Sequence, residues 1–356
     1  MIRVAILGVG IGAQHLEGYR DVADRFMVST ICDLDAERAR EIIGSDQDIR
    51  IATNIADVMA DPDIDLVDVC LPPHLHVPTI LQALSVKKHV ICEKPIARSL
   101  AEVDQIEAAI VQSGCRVIPV FQYRYGMAIA QLQALRDAGL AGRALVASAE
   151  THWNRDAHYY AVPWRGTWKG EAGGAVLSHA IHIHDLLCHV LGPVAELSAF
   201  TETRVNEIET EDCAAIAMRM QDGALATSSV TLGASKDTTR LRFCFEGLTA
   251  ESGTAPYKPA EDKWTFTARG ATKQEDVDQV LAKVAVPKSG FAGFVEAVAN
   301  AIQADGKDIV SFKDGRRSIE LVTAIYESAN SRGCVCLPIS KDAPNYHGWL
   351  PEQTEE

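Results

Sequence analysis

The stretch Val4-Ala-Ile-Leu-Gly8-Val-Gly10-Ile-Gly12-Ala13 decides the fold. Val4 to Leu7 is a short apolar strand, a glycine-rich turn follows, and Ala13 to about Val22 reads as a helix. In a strand–turn–helix of this kind Gly8 permits the tight turn and Gly10 lets the backbone approach a pyrophosphate. The helix N-terminus then points its free N–H groups at the phosphates. The third position of the usual G-x-G-x-x-G spacing is Ala13, which the looser pattern allows, and Gly12 lies one residue early. Taken alone, the turn fits a dinucleotide site or a tight turn in an α/β protein that binds something else. Asp33 favours the dinucleotide. It ends the second apolar run, Met27 to Cys32, where a carboxylate accepts from both ribose hydroxyls of an adenosine and repels a 2′-phosphate. No arginine stands at 34 or 35, and Arg38 and Arg40 fall on a helix surface. The expected cofactor is NAD.

Outward from this turn the first 121 residues keep a strand–helix rhythm. Further strands are expected at Ile49 to Ala52, Leu66 to Leu71 (closed by Pro72-Pro73), His89 to Cys92 and Val117 to Phe121. Helices are expected from Asp35 to Ile43, from His76 to Ser85, and from Ser99 to near Gly114, the last with Glu102 at the capping-box position. Six strands separated by helices predict a doubly wound parallel sheet with ligands at the carboxyl ends of its strands. From Ala144 the rhythm changes. Leu145 to Ala149, Glu196 to Arg204, Ala214 to Met220, Ala224 to Leu232, Arg240 to Phe245 and Trp264 to Ala268 are strand-like, and predict a largely antiparallel open sheet. Gly290 to Ala304 and Arg317 to Ala329 read as helices; Glu251 to Pro259 and Gly270 to Ser289 read as loops or lids. The expected fold class is α/β, an N-terminal doubly wound domain at 1–121 and a C-terminal α/β domain at 122–339. The last helix and strand would return toward the first domain, and 340–356 would form a tail.

Composition excludes several function classes. The chain has 356 residues, with 48 Asp+Glu against 34 Lys+Arg and a formal net charge of -14. Such a field repels nucleic acid and anionic lipid, and no basic run exceeds the pairs Lys87-Lys88 and Arg316-Arg317. No apolar stretch is long enough for a membrane span, and Met1-Ile2-Arg3 runs straight into the first strand, which predicts no signal peptide. Nine cysteines, an odd number lying mostly in apolar runs, predict buried thiols in a reducing cytoplasm. Cys334-Val-Cys336 lacks the second ligand pair of a structural zinc site. No nucleic-acid or membrane partner is expected.

Two segments concentrate chemistry. In Ala172-Gly-Gly-Ala-Val-Leu-Ser-His-Ala-Ile-His-Ile-His-Asp185, helical spacing puts Ser178, His179, His182, Asp185 and the later His189 on one side, with His184 elsewhere. Such a row serves as an acid/base cluster, a zinc site, or histidines bonded within a core. Cys92-Glu93-Lys94-Pro95 follows the fifth strand. A lysine there faces the cofactor cleft and serves proton transfer if burial lowers its pKa; the alternative is an ion pair closing the strand.

Together these segments resemble the glucose-fructose oxidoreductase, inositol dehydrogenase and rhizopine-catabolism (Gfo/Idh/MocA) family of nicotinamide-dependent oxidoreductases. The resemblance covers nearly the whole chain. It rests on the glycine turn with His15, Pro72-Pro73-His74-Leu75-His76, Glu93-Lys94-Pro95, Gly173-Gly174 to Asp185, Ser318 to Ala329, and the closing strand Val335 to Pro338. It implies hydride transfer from a hydroxyl-bearing carbon of a sugar, sugar derivative or cyclitol to NAD, with Lys94 and His182 as catalytic residues. It implies a Rossmann cofactor site formed by Gly8, Gly10, Ile11, Gly12, Asp33, Pro72, His76, Glu93 and Lys94, a homodimer or homotetramer, and no metal. The family usually carries an aspartate where this chain has Ser178. Serine bonds a sugar hydroxyl but cannot balance the charge of His182, and His179 is expected to take part of that work.

Thr151-His-Trp-Asn-Arg155 and Tyr159 to Trp168 concentrate aromatics that stack on the C–H faces of sugars, with Arg and Asn as hydrogen-bond donors. Arg155, Tyr159, Trp164, Ser178 and His179 are therefore the expected substrate contacts. Arg124, where the family often has an arginine near substrate, joins them. Two other functions remain open on sequence: a lyase, isomerase or glycosidase that uses NAD transiently, and a sensor that binds cofactor or sugar without turnover.

Overall fold

The computed structural model describes residues 1–44, 46, 48–304 and 309–350. It divides into two compact units, Met1–Phe121 with Phe291–Arg316, and Gln122–Gly290 with Arg317–Glu356.

The first unit holds six strands: β1 Ile2–Leu7, β2 Phe26–Cys32, β3 Arg50–Ala52, β4 Leu66–Val69, β5 His89–Cys92 and β6 Val117–Pro119. They lie in the order β3-β2-β1-β4-β5-β6, all parallel. Val4 to Leu7 and Leu66 to Val69 are fully buried, as central strands covered on both faces must be. The order reverses between β1 and β4, so their carboxyl ends open the crevice where doubly wound sheets bind ligands. Helix ends follow local chemistry. Asp35 accepts the Glu37 and Arg38 N–H groups at the start of Ala36–Ile43, and Ser99 accepts the Glu102 N–H at the start of Leu100–Ser113. A short helix, Ile55–Ala60, capped by Asn54, carries too few turns for its periodicity to show in the sequence.

The segment that joins this unit from the far end of the chain is not the one expected. It is Phe291–Arg316, whose helix Gly290–Ala304 packs on the first helix, Gly12–Arg20. Phe291 stacks on His15 with ring centres 3.8 Å apart, and a Cβ on Gly18 would stand 2.5 Å from the Phe291 ring. Arg25 donates to Asn300 and Gln303.

The second unit is built on strands β7 Ala144–Asn154, β8 Val194–Glu202, β9 Cys213–Met220, β10 Leu225–Thr231, β11 Gly233–Phe245, β12 Leu248–Glu251, β13 Thr265–Ala268 and β14 Val335–Cys336. Their order is β13-β12-β11-β7-β10-β9-β8-β14, antiparallel except for β7 with β10. The closing strand therefore pairs with β8 of this sheet instead of returning to the first. On β9, Ala214, Ile216, Met218 and Met220 are buried while Ala215, Ala217 and Arg219 are exposed, the alternation of a sheet covered on one face. Part of the expected loop Gly270 to Ser289 is helix, Gln274–Leu281; Val277 is its one buried residue, too little to mark an apolar face. The final helix spans Phe312–Ser331, and a further helix, Met127–Asp137, precedes β7. Of the expected tail, residues 340–350 pack into this unit: Tyr346 and Trp349 are buried, and the Trp349 indole N–H donates to the Ala172 carbonyl at 2.6 Å. Pro351 to Glu356 lie outside the described residues.

Candidate functional site

The turn after β1 has three glycines with three different reasons to exist. Gly8 has φ +92°, and a Cβ there would meet the Cys70 carbonyl at 2.5 Å. A Cβ on Gly12 would press on Ile6 at 2.9 Å, so this glycine lets the helix close on its strand. Around Gly10 a Cβ would meet nothing within 4 Å, so no neighbour in the protein requires a glycine there. The helix Gly12–Arg20 that follows has Ile11 at its N-cap and no side chain capping its amides. Open space at Gly10 ahead of uncapped N–H groups suits a phosphate. Asp33, at the end of β2, accepts the Val9 N–H at 2.8 Å and the Asp35 N–H at 2.9 Å. These bonds aim the carboxylate, and each oxygen keeps a lone pair for a ribose hydroxyl. The residues present fit NAD.

Glu93 and Lys94 follow β5 directly, with a cis bond between Lys94 and Pro95. Glu93 faces inward. One of its oxygens lies 3.2 Å from His15 Nε2 and the other accepts the Lys94 N–H at 3.1 Å. His15 Nδ1 lies 2.9 Å from Asp68, which also accepts from the Tyr19 hydroxyl at 3.1 Å. Burial opposes a charge on His15, but the Asp68 carboxylate outweighs it and holds the pKa well above the usual histidine value. Both ring nitrogens of His15 therefore donate to carboxylates, and the Lys94 turn rests on a buried imidazolium. His15, Asp68 and Cys70 bring ligand atoms within 4.8 Å of one another. They bond to each other, however, Cys70 Sγ lying 3.2 Å from His15 Nδ1, and burial pushes the Cys70 thiol up to about 12. Pro72 is exposed at the end of β4, whereas His76, an expected cofactor contact, is buried, and each of its ring nitrogens lies 2.7 Å from a carbonyl, Pro95 or Leu71. Its ring is used inside the protein, tying the loop after β4 to the loop after β5.

In the second unit the histidine-bearing segment opens with a π-type turn, Val176–Ala180, before the α-helix Ile181–Leu191. Glu211 anchors its start. The carboxylate accepts the Gly174 and Val176 N–H groups at 3.0 and 2.9 Å and the Tyr326 hydroxyl at 3.0 Å, and the Glu211 carbonyl accepts the Ala175 N–H. A Cβ on Gly174 would stand 1.9 Å from that carbonyl, so only glycine fits. Burial pushes the Glu211 carboxyl up to about 7 against the pull of these donors. Nothing in the sequence around Glu211 marks this role; only the fold brings it there.

The histidines do not work as one row. Ser178 donates to the Gly174 carbonyl and lies 2.7 Å from His179 Nδ1. His179 meets the Trp153 and Tyr159 rings at 5.4 and 5.8 Å, and His182 stacks on Tyr123 at 4.5 Å. His184 turns into the core, with Nε2 2.9 Å from the Ser228 hydroxyl, and burial alone lowers its pKa to about 4. His189 is exposed. Asp185 receives a two-pronged bond from Arg124 at 2.7 and 2.5 Å, both side chains being buried. Arg124, an expected substrate contact, thus spends two donors holding the helix that carries His182. The aromatic segment does gather beside His179. The Arg155 guanidinium lies 5.1 Å from the Trp153 and Tyr159 ring centres, and Arg165 lies 4.1 Å from Tyr159 and 4.8 Å from the half-exposed Trp164.

Comparison with known proteins agrees with this anatomy. Residues 2–121 match the family model described as oxidoreductase family, NAD-binding Rossmann fold, and residues 129–251 match the GFO/IDH/MocA C-terminal domain. A WlbA dehydrogenase from Bordetella pertussis, solved with NADH and UDP-GlcNAcA, is similar with a TM-score of 0.82 and 26% identity, covering 95% of this chain and 99% of that one. The uncharacterized oxidoreductase YrbE of Bacillus subtilis is 27% identical over 231 residues, 63% of this chain and 65% of its own length. An inositol 2-dehydrogenase of Mycolicibacterium smegmatis is 33% identical over 147 residues, 41% of this chain and 43% of its own. The chain thus matches less than two thirds of the length of these two curated relatives.

Proposed function

The chain belongs to the GFO/IDH/MocA oxidoreductase family, its first unit being the NAD-binding Rossmann domain, and on that premise we propose that it is an NAD-dependent dehydrogenase of a sugar, sugar derivative or cyclitol. The observation that carries the proposal is the cradle after β1: open space at Gly10, an uncapped helix N-terminus, and the Asp33 carboxylate aimed by Val9. The substrate class is supported by the inositol 2-dehydrogenase among the relatives and by the sugar nucleotide in the complex solved for the WlbA enzyme.

Bound NAD supplies the hydride acceptor. Asp33 accepts from the ribose diol, and the amides after Gly10 receive the phosphates. A hydroxyl that loses hydride also loses a proton, and Lys94 and His182 take and relay it; an imidazole with an ordinary pKa near 6.5 suits that work. Tyr123 fixes the plane of the His182 ring, and Arg124 fixes the helix beneath it through Asp185. Ser178, His179, Arg155, Tyr159 and Trp164 orient the sugar. The test is the purified protein with NAD and a panel of aldoses, inositols and sugar acids, read as NADH absorbance. Product without net NADH would replace the proposal with a lyase or isomerase that returns its hydride. Bound NAD and no product after prolonged incubation would replace it with a sensor.

A further inference from the structure

The aromatic cluster beside His179 holds two arginines in unlike electrostatic states. Arg155 is charge-paired within the protein: Nη1 donates to the Asn154 carbonyl at 2.6 Å and to Asp237 at 3.1 Å, and Nη2 donates to the Tyr257 hydroxyl at 3.1 Å, while Nε meets no acceptor among the described residues. Asp237 is engaged as well, accepting from Arg155, the Tyr257 hydroxyl and the Asn154 N–H. Arg165 lies over the Tyr159 and Trp164 rings and, among the described residues, forms no ion pair. Glu171, the carboxylate whose field also reaches Tyr159, is buried and accepts the Gly166 N–H at 2.6 Å.

A guanidinium laid on aromatic faces keeps its in-plane N–H donors free at the rim, in the fork that matches carboxylate or phosphate oxygens. Elsewhere in this chain, with its net charge of -14, half-buried arginines such as Arg98 and Arg316 have found carboxylates. Arg165 has not, although it is half-buried too. It stands one ring from His179: Tyr159 touches both, its centre 4.1 Å from the Arg165 guanidinium and 5.8 Å from the His179 ring centre. One hexose with a charged substituent spans that gap.

We infer that the substrate is an anionic sugar, whose carboxylate or phosphate is received by Arg165 while its ring lies on the Trp153, Tyr159 and His179 side. The inference rests on the carbohydrate reading of this site, and it narrows the substrate class to sugar acids or sugar phosphates.

The experiment is calorimetric titration of the NADH-loaded protein with matched sets: glucose, glucuronate and glucose 6-phosphate, then galactose, galacturonate and galactose 6-phosphate. In at least one set an anionic member binds about 10- to 100-fold more tightly than the neutral sugar, the weight of a charged hydrogen bond. Preference for the acid names a carboxylate, and preference for the ester names a phosphate. Arg165→Gln abolishes the preference, while Arg165→Lys, which keeps the charge but loses the fork, retains part of it. Equal affinity within both sets, no binding by any of the six, or a preference that survives in a folded Arg165→Gln protein overturns the inference. Anions that bind but yield no NADH when NAD is supplied uphold the inference and count against the dehydrogenase. Neutral sugars oxidised with no anion preference do the reverse.

Discussion

His182→Ala is expected to cut turnover by roughly 10²- to 10⁴-fold, the usual weight of a proton-transfer group, and to leave NAD affinity nearly unchanged. Lys94→Ala is expected to be at least as damaging. Steady-state rates and NAD titrations of the two folded variants check this, and near-normal turnover without His182 would pass its role to His179. Asp33→Ala is expected to narrow the preference for NAD over NADP, measured as a ratio of dissociation constants; a wild-type protein that binds NADP as tightly would overturn the carboxylate argument. His184 gives a stability prediction of definite sign. Its pKa is lowered to about 4 in the folded protein against an ordinary 6.5, so the unfolded chain takes up a proton first as the medium turns acid. The stability tied to a neutral His184 is complete above pH 6.5 and falls through pH 4, by roughly 3 kcal/mol. Urea unfolding of the wild type and of His184→Gln between pH 7 and 4 should show the steeper loss in the wild type, and parallel curves would refute it. Local roles were legible in the sequence where spacing fixes them, as in the positive-φ turn at Gly8. They were not legible at His76 or Arg124, because the Leu71 and Pro95 carbonyls and the Asp185 carboxylate that claim them become neighbours only in the fold.

Elements show the same division. The strands of the first sheet could be read because each is a short apolar run bounded by turn residues. Ile55–Ala60 and Gln274–Leu281 could not, having too few buried positions to set a period. The π-type turn was likewise invisible, since a single sequence gives no sign that the helix widens over Val176–Ala180. Its anchor makes the element-scale prediction. Gly174→Ala would drive a methyl into the Glu211 carbonyl, and should lower stability by about 1–3 kcal/mol or more, as overpacking does. Activity should fall beyond the loss of folded protein, because the segment carrying His179 and His182 must shift. A variant with unchanged unfolding midpoint and rate would show that the clamp is not needed.

For the whole molecule, the second sheet carries an uncovered face: Ser198, Phe200, Ala215, Ala217, Leu225 and Thr227 are exposed there, and Phe200 is 72% exposed beside Ala215. Phe200 and Leu225 among small residues make an apolar patch, bordered by the exposed Arg219, of the kind that closed dimers cover. Light scattering should give a mass above 38.6 kDa at micromolar concentration, and Phe200→Asp should lower it toward the single chain. A wild type already at 38.6 kDa would end the idea. No described helix is long and apolar enough to cross a membrane. Phe291–Arg316, which joins the first unit across 169 intervening residues, Gln122 to Gly290, has a consequence in time. The ribosome finishes every strand of the parallel sheet by Pro119, yet the surface around His15, Gly18 and Arg25 stays bare until Phe291 and Gln303 emerge. During synthesis the nucleotide-binding half must therefore wait, its last wall made only after most of the other half, so a graft between relatives that cuts the gene once would separate a domain from its own closing piece.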